Sequence, residues 1–109
     1  MQVTFLGTNG WYDTLTGNTC SALVRSAAYD ILLDAGNGIA KADQYISQEK
    51  PVILFISHLH LDHIAGLHTL VKFRFKKGLT LSGNRASPTH STGSSANPIP
   101  SRSLIFPMK

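Results

Sequence analysis

The chain has 109 residues, 42% hydrophobic and 15% charged, with ten Lys/Arg against six Asp/Glu for a formal net charge of +4. That length holds one small domain at most, and no apolar run nears the ~20 residues of a membrane span. A single cysteine, Cys20, excludes an internal disulfide, and Met1–Gly7 has no basic stretch followed by an apolar one. The chain is therefore expected in the cytoplasm, without signal peptide, membrane contact or disulfide framework.

Gln2–Leu6 alternates as a strand, and Gly7–Gly10 reads as a turn. Trp11-Tyr12-Asp13 places two aromatics on a loop, where packing under the loop is a better reading than substrate contact. Thr19–Arg25 and Tyr29–Leu33 are two further strands joined by Ser26-Ala27-Ala28, which completes an antiparallel meander. Cys20, with no second cysteine and no histidine nearby in sequence, reads as a small buried hydrophobe rather than a reactive thiol.

Asp34-Ala35-Gly36-Asn37-Gly38 is a glycine-permitted turn with Asn37 as candidate N-cap. Ile39, Ala42, Tyr45 and Ile46 then recur at three- and four-residue spacing, which predicts an amphipathic helix of about ten residues.

Pro51–Gly66 carries the chemistry. The apolar run Val52–Ile56 fits an interior strand, and open α/β sheets keep their functional residues at the carboxyl ends of such strands. His58, His60, Asp62 and His63 follow within six residues, out of five histidines in the whole chain. In extended backbone, His58 and His60 present their rings to one side while Leu59 and Leu61 face the core. A turn after Leu61 brings Asp62 and His63 to a neighbouring point. Imidazole with carboxylate suits Zn²⁺, and also Fe or Mn in mixed sites. Unpaired burial of these groups would be costly, so packing alone is a poor account of the cluster.

Ile64–Phe75 is expected to be a helix starting under these residues, with Gly66 close to the sheet and His68 exposed as a non-ligand. Lys72, Arg74, Lys76 and Lys77 complement its C-terminal dipole better than they suit a phosphate-contact role. Gly78 is a candidate C′ residue, and Leu79-Thr80-Leu81 begins another strand. From Ser82 the composition changes: residues 82–109 contain seven Ser, four of the five Pro and three basic residues with no acid. Residues 1–81 are therefore read as the folded body and 82–109 as a Ser/Pro-rich tail, disordered or of non-homologous origin such as a frameshift or alternative exon.

His58-Leu59-His60-Leu61-Asp62-His63 resembles the HxHxDH signature of the metallo-β-lactamase fold hydrolases. Val3-Thr4-Phe5-Leu6-Gly7-Thr8 and Ile31-Leu32-Leu33-Asp34-Ala35-Gly36 agree with that family, in the tone of its ribonuclease Z-like and general hydrolase branches. The resemblance covers about residues 1–81 and implies an α/β fold. On it, the chain corresponds to the N-terminal half of a four-layer αββα sandwich, with a mixed sheet that includes the meander.

The resemblance also implies a metal-dependent hydrolase of ester, amide or phosphodiester bonds, acting through a metal-bridged hydroxide. His58 and His60 would hold one metal, normally Zn²⁺, and Asp62 and His63 a second. Asp62 would be the catalytic residue, orienting the water and able to accept its proton, and Asp34 would support the ligands from behind; a plain turn-capping role for Asp34 stays open. The family's later ligands have no matching positions here, so the expected binding is incomplete and the expected activity weak or absent. The implied partners are a small-molecule or phosphodiester substrate, with nucleic acid included. Self-association through the uncovered face of the half-sandwich is the other expected contact. The alternative function is a non-catalytic remnant that binds a partner chain.

Overall fold

The structure, a computed structural model, describes residues 1–47, 49–83 and 102–106, the last by its backbone. Six strands form one sheet in sequence order: β1 (Gln2–Gly7), β2 (Ser21–Arg25), β3 (Asp30–Leu33), β4 (Val52–Ile56), β5 (Leu79–Gly83) and β6 (Arg102–Phe106). The β1–β2 and β2–β3 pairs are antiparallel, as the short loops of the meander require. The β3–β4 and β4–β5 pairs are parallel, each joined by a helical crossover. β6 pairs antiparallel with β5; the remainder of the Ser/Pro-rich segment lies outside the described residues.

The crossover from β3 to β4 is a 3₁₀ helix, Asn37–Gln44, rather than the expected α-helix. Its Gly38, Ile39 and Ala42 are buried, and Gly38 lies so close to the backbone of Leu6 and Gly7 that a Cβ there would come within 2.7 Å. Close docking of small residues against β1 takes precedence over helical propensity. Asn37 is not the cap: Gly36 holds that position, and Asn37 Nδ2 donates to Asp13 instead.

The predicted helix over Ile64–Phe75 is also revised. It divides into α1 (Leu61–Ile64) and a 3₁₀ helix, Leu67–Lys72, separated by Gly66, and Phe73 is extended. Phe73 and Phe75 are both buried with their rings stacked at 5.4 Å. Residues two apart share a side in extended backbone but not on a helix, which is why the helix ends before them.

The sheet's two faces differ. One carries Leu6, Leu23, Leu32, Val52, Leu54 and Leu79 into a core closed by Ile39, Ala42, Phe73 and Phe75. On the other, the pairings align Val3, Val24, Ile31 and Ile53 in one row, and Phe5, Ala22, Leu33 and Phe55 in the next. Val3, Phe5, Leu33 and Phe55 are exposed there. Asp30 is wholly buried at the core side, where Lys50 Nζ lies 3.2 Å and Arg25 Nε 3.8 Å from its Oδ1 and the Ser47 N–H donates to Oδ2. A buried carboxylate is tolerated only with such partners.

Candidate metal centre

The parallel pairing of β3 with β4 builds the site. Leu33 lies opposite Phe55, and the Asp34 N–H donates to the Phe55 carbonyl at 2.7 Å. Both chains leave the sheet at the same end, so Asp34 stands beside Ser57 and the histidines that follow it. The turn after β3 is then joined to α1: Ala35 N–H donates to the His63 carbonyl and Gly66 N–H to the Ala35 carbonyl, each at 2.8 Å. Gly36 permits the approach, since a Cβ there would lie 2.5 Å from the Asp62 carbonyl oxygen and 2.6 Å from Cys20 backbone atoms.

α1 begins directly after His60, whose extended backbone (φ −65°, ψ 147°) caps it, and this turn carries Asp62 and His63 back toward His58. The His58 ring centroid lies 4.6 Å from that of His60 and 4.1 Å from that of His63. His63 Nε2 is 3.6 Å from Asp62 Oδ2. The five predicted site residues therefore share one neighbourhood at the carboxyl ends of β3 and β4. Among the described residues, however, no three His, Cys, Asp or Glu side chains are set to hold one ion as they stand.

Leu59 and Leu61 do not face the core; they are 74% and 72% exposed. The chain has already left the sheet at Ile56, and Leu61 opens α1 with its side chain outward, so the strand alternation stops earlier than expected. Trp11 and Tyr12 likewise do not pack under their loop, being 86% and 71% exposed. Trp11 sits at φ 66° and its backbone N–H donates to Asp62 Oδ2 at 3.0 Å. Trp11, His60, Leu61 and Asp62 line a cleft of about 480 Å³.

The Trp11 N–H is the largest influence on Asp62, holding its carboxyl below the ordinary 3.8, with the neighbouring His63 and His60 acting in the same sense. Asp62 therefore stays ionised through the neutral range, as a cation ligand must. Asp34, itself at φ 65°, accepts from the Ser57 N–H at 2.7 Å and from Ser57 Oγ at 2.9 and 2.8 Å. His63 Nδ1 is 3.1 Å from Asp34 Oδ2, yet this buried nitrogen is out of line for a hydrogen bond. Asp34 thus bonds its neighbour's backbone and also faces a candidate ligand. Cys20 is half-buried, and burial first, then Asp34 and Asp62, push its thiol pKa up from 9.0, away from thiolate reactivity. His68 is exposed, its Nδ1 2.9 Å from the Ala65 carbonyl.

The donor types fit a divalent cation: the His58 imidazole in contact with those of His60 and His63, one carboxylate kept ionised, and a buried imidazole nitrogen lacking a hydrogen-bond partner. Sequence reasoning missed Ser57 and the Trp11 backbone. Ser57 had a signal, as the hydroxyl directly preceding the first histidine; a backbone N–H has none.

Comparison with known proteins identifies the family of the fold. A profile of the metallo-beta-lactamase superfamily matches residues 15–98, a span that runs past residue 81. The chain is 42% identical over 90 residues to a ribonuclease Z of Prochlorococcus marinus (strain MIT 9515), covering 77% of this chain and 27% of that protein. Among solved structures it is similar to the metallo-beta-lactamase fold protein YhfI from Bacillus subtilis, with a TM-score of 0.61 and 32% identity over 77% of this chain and 37% of the other. It is also similar to the short form of human tRNase Z, with a TM-score of 0.57 and 30% identity over 66% of this chain and 29% of the other. The chain thus spans about a quarter of the length of the curated relatives it matches. No described helix is long and apolar enough to cross a membrane. On the residues matched, this chain belongs to the metallo-beta-lactamase superfamily.

Proposed function

We propose that this chain carries part of the metal centre of a phosphodiester hydrolase acting on RNA, located in the cytoplasm. The observation that carries the reading is the gathering of His58, His60, His63 and Asp62 where β4 ends, in a chain similar to proteins named ribonuclease Z and tRNase Z. His58 and His60 would hold one divalent cation, and Asp62 with His63 a second; zinc suits these donors, and iron or manganese are the alternatives. Such cations, when bound, supply Lewis-acid polarisation of a phosphoryl group and acidification of water. Asp62 stays ionised and offers a hydrogen-bond acceptor to a water. Its lowered pKa makes it a weak proton acceptor, so orientation is the role it suits. Asp34 supports the histidines from behind. On this reading residues 1–81 carry the metal-bearing body, and the Ser/Pro-rich segment after them contributes the edge strand β6.

The second reading, a non-catalytic module that contacts another chain or a second copy of itself, is favoured by two observations. Among the described residues no three donors already converge on one ion, and a row of apolar side chains is exposed on the sheet. The test is hydrolysis of bis(p-nitrophenyl) phosphate and of an RNA oligonucleotide by the purified chain with added zinc or manganese. Turnover that disappears in His58→Ala and Asp62→Asn supports the first reading. Absence of turnover in all three proteins, despite intact folding, leaves the second.

A further inference from the structure

Ser57 Oγ stands between two kinds of partner. It is 2.9 and 2.8 Å from the two oxygens of Asp34, and 2.9 Å from Nδ1 of His58. The hydroxyl carries one hydrogen, whereas a carboxylate has none and only accepts. If Ser57 gave its hydrogen to His58, its lone pairs would face both carboxylate oxygens at under 3 Å with nothing between them. The hydrogen therefore goes to Asp34, and Ser57 Oγ meets the imidazole as an acceptor. The hydrogen of that contact must then come from the ring. We propose that Ser57 is a positioning residue that holds neutral His58 with its hydrogen on Nδ1, leaving the Nε2 lone pair for a cation.

Asp34 anchors the arrangement. Its own N–H is tied to the Phe55 carbonyl, and it receives the Ser57 N–H, so neither end of the relay is free to turn. Oxygen partners of this kind fix the tautomer and ring orientation of ligand histidines. A neutral histidine in water favours the Nε2–H form, so the structure works against the default. The placement of the hydrogen stands on the geometry alone; its purpose rests on the proposed metal centre.

The experiment is long-range ¹H–¹⁵N correlation NMR of the metal-free full chain at about pH 8, above the usual imidazole range. Wild-type His58 is expected to give the Nδ1–H pattern, Ser57→Ala to move it to mainly Nε2–H, and Ser57→Thr to restore it. Nε2–H in the wild type, or an unchanged pattern in Ser57→Ala, overturns the proposal. The wild-type and Thr spectra decide the matter even where the Ala variant does not fold. A parallel titration with Co²⁺ is expected to show binding weaker by about tenfold in Ser57→Ala; equal affinity overturns the link to the cation. Because the NMR readout is taken without metal, its failure is distinguishable from failure of the metal reading.

Discussion

The backbone N–H of Trp11 donates to Oδ2 of Asp62 at 3.0 Å across 51 positions of sequence, tying the loop after β1 to the first turn of α1. Trp11 pays for this position with φ 66°, a conformation a side chain disfavours, while the residue stays 86% exposed. Glycine would keep the N–H and lose the strain. Trp11→Gly is expected to be more stable than Trp11→Ala by about 1 kcal/mol in urea unfolding. Equal stabilities, or alanine ahead, would show that the loop does not need this backbone.

A second prediction concerns the contact between the turn after β3 and α1. A Cβ on Gly36 would meet the Asp62 carbonyl and Cys20, and one on Gly66 would meet the Gly36 carbonyl. Gly78 has φ 94° with nothing near its missing Cβ. Gly78→Ala should therefore cost about 1 kcal/mol from strain alone, and Gly36→Ala and Gly66→Ala about 2–3 kcal/mol from overpacking. Denaturant midpoints check the order; parity among the three would contradict it.

Acid sensitivity follows from Asp13. Its carboxylate accepts the Thr19 N–H at 2.7 Å and Asn37 Nδ2 at 2.9 Å, and the Thr19 bond is the largest cause holding its pKa below 3.8. With the folded value below the unfolded one, the stabilisation is complete above about pH 3.8 and is lost as pH falls through the lowered value. Asp62 acts in the same direction through the Trp11 bond. Urea midpoints measured between about pH 5 and 2 should fall for the wild type and fall less steeply for Asp13→Asn. Parallel curves for the two proteins would remove Asp13 from the account.

Much of this architecture was legible because it depends on local pattern. The alternation in Gln2–Leu6, the short turns of the meander and the apolar run Val52–Ile56 each point to a strand. The His58–His63 spacing signals chemistry at the end of the last of these. What was illegible depends on partners distant in sequence. Leu59 and Leu61 have the alternation of a strand, but the chain has already turned away from the sheet. Over Asn37–Gln44 the pattern of apolar residues is helical, while the tight approach of Gly38 to β1 selects the 3₁₀ form. Phe73 and Phe75 carried a readable signal, a spacing of two, that the longer helical reading passed over.

The uncovered sheet face yields a fourth prediction. Val3, Phe5, Leu33 and Phe55 form a contiguous exposed apolar surface through the β1–β4 pairings, the kind of patch that drives association. In sedimentation equilibrium the chain alone is expected to exceed one protomer in average mass as concentration rises. The Phe5→Ser, Phe55→Ser double variant is expected to stay nearer the mass of a single chain. A wild type that remains monomeric throughout would exclude self-association through this face.

The central claim, that the donors gathered after β4 hold a divalent cation, is tested most directly by equilibrium dialysis of the metal-free chain against Zn²⁺. With two protein donors per ion instead of the usual three, the account predicts saturable binding that is micromolar or weaker and exchangeable. It should be lost in a folded His58→Ala, His60→Ala, His63→Ala triple variant. Zinc uptake that is absent in the wild type, or unchanged in that variant, would contradict it.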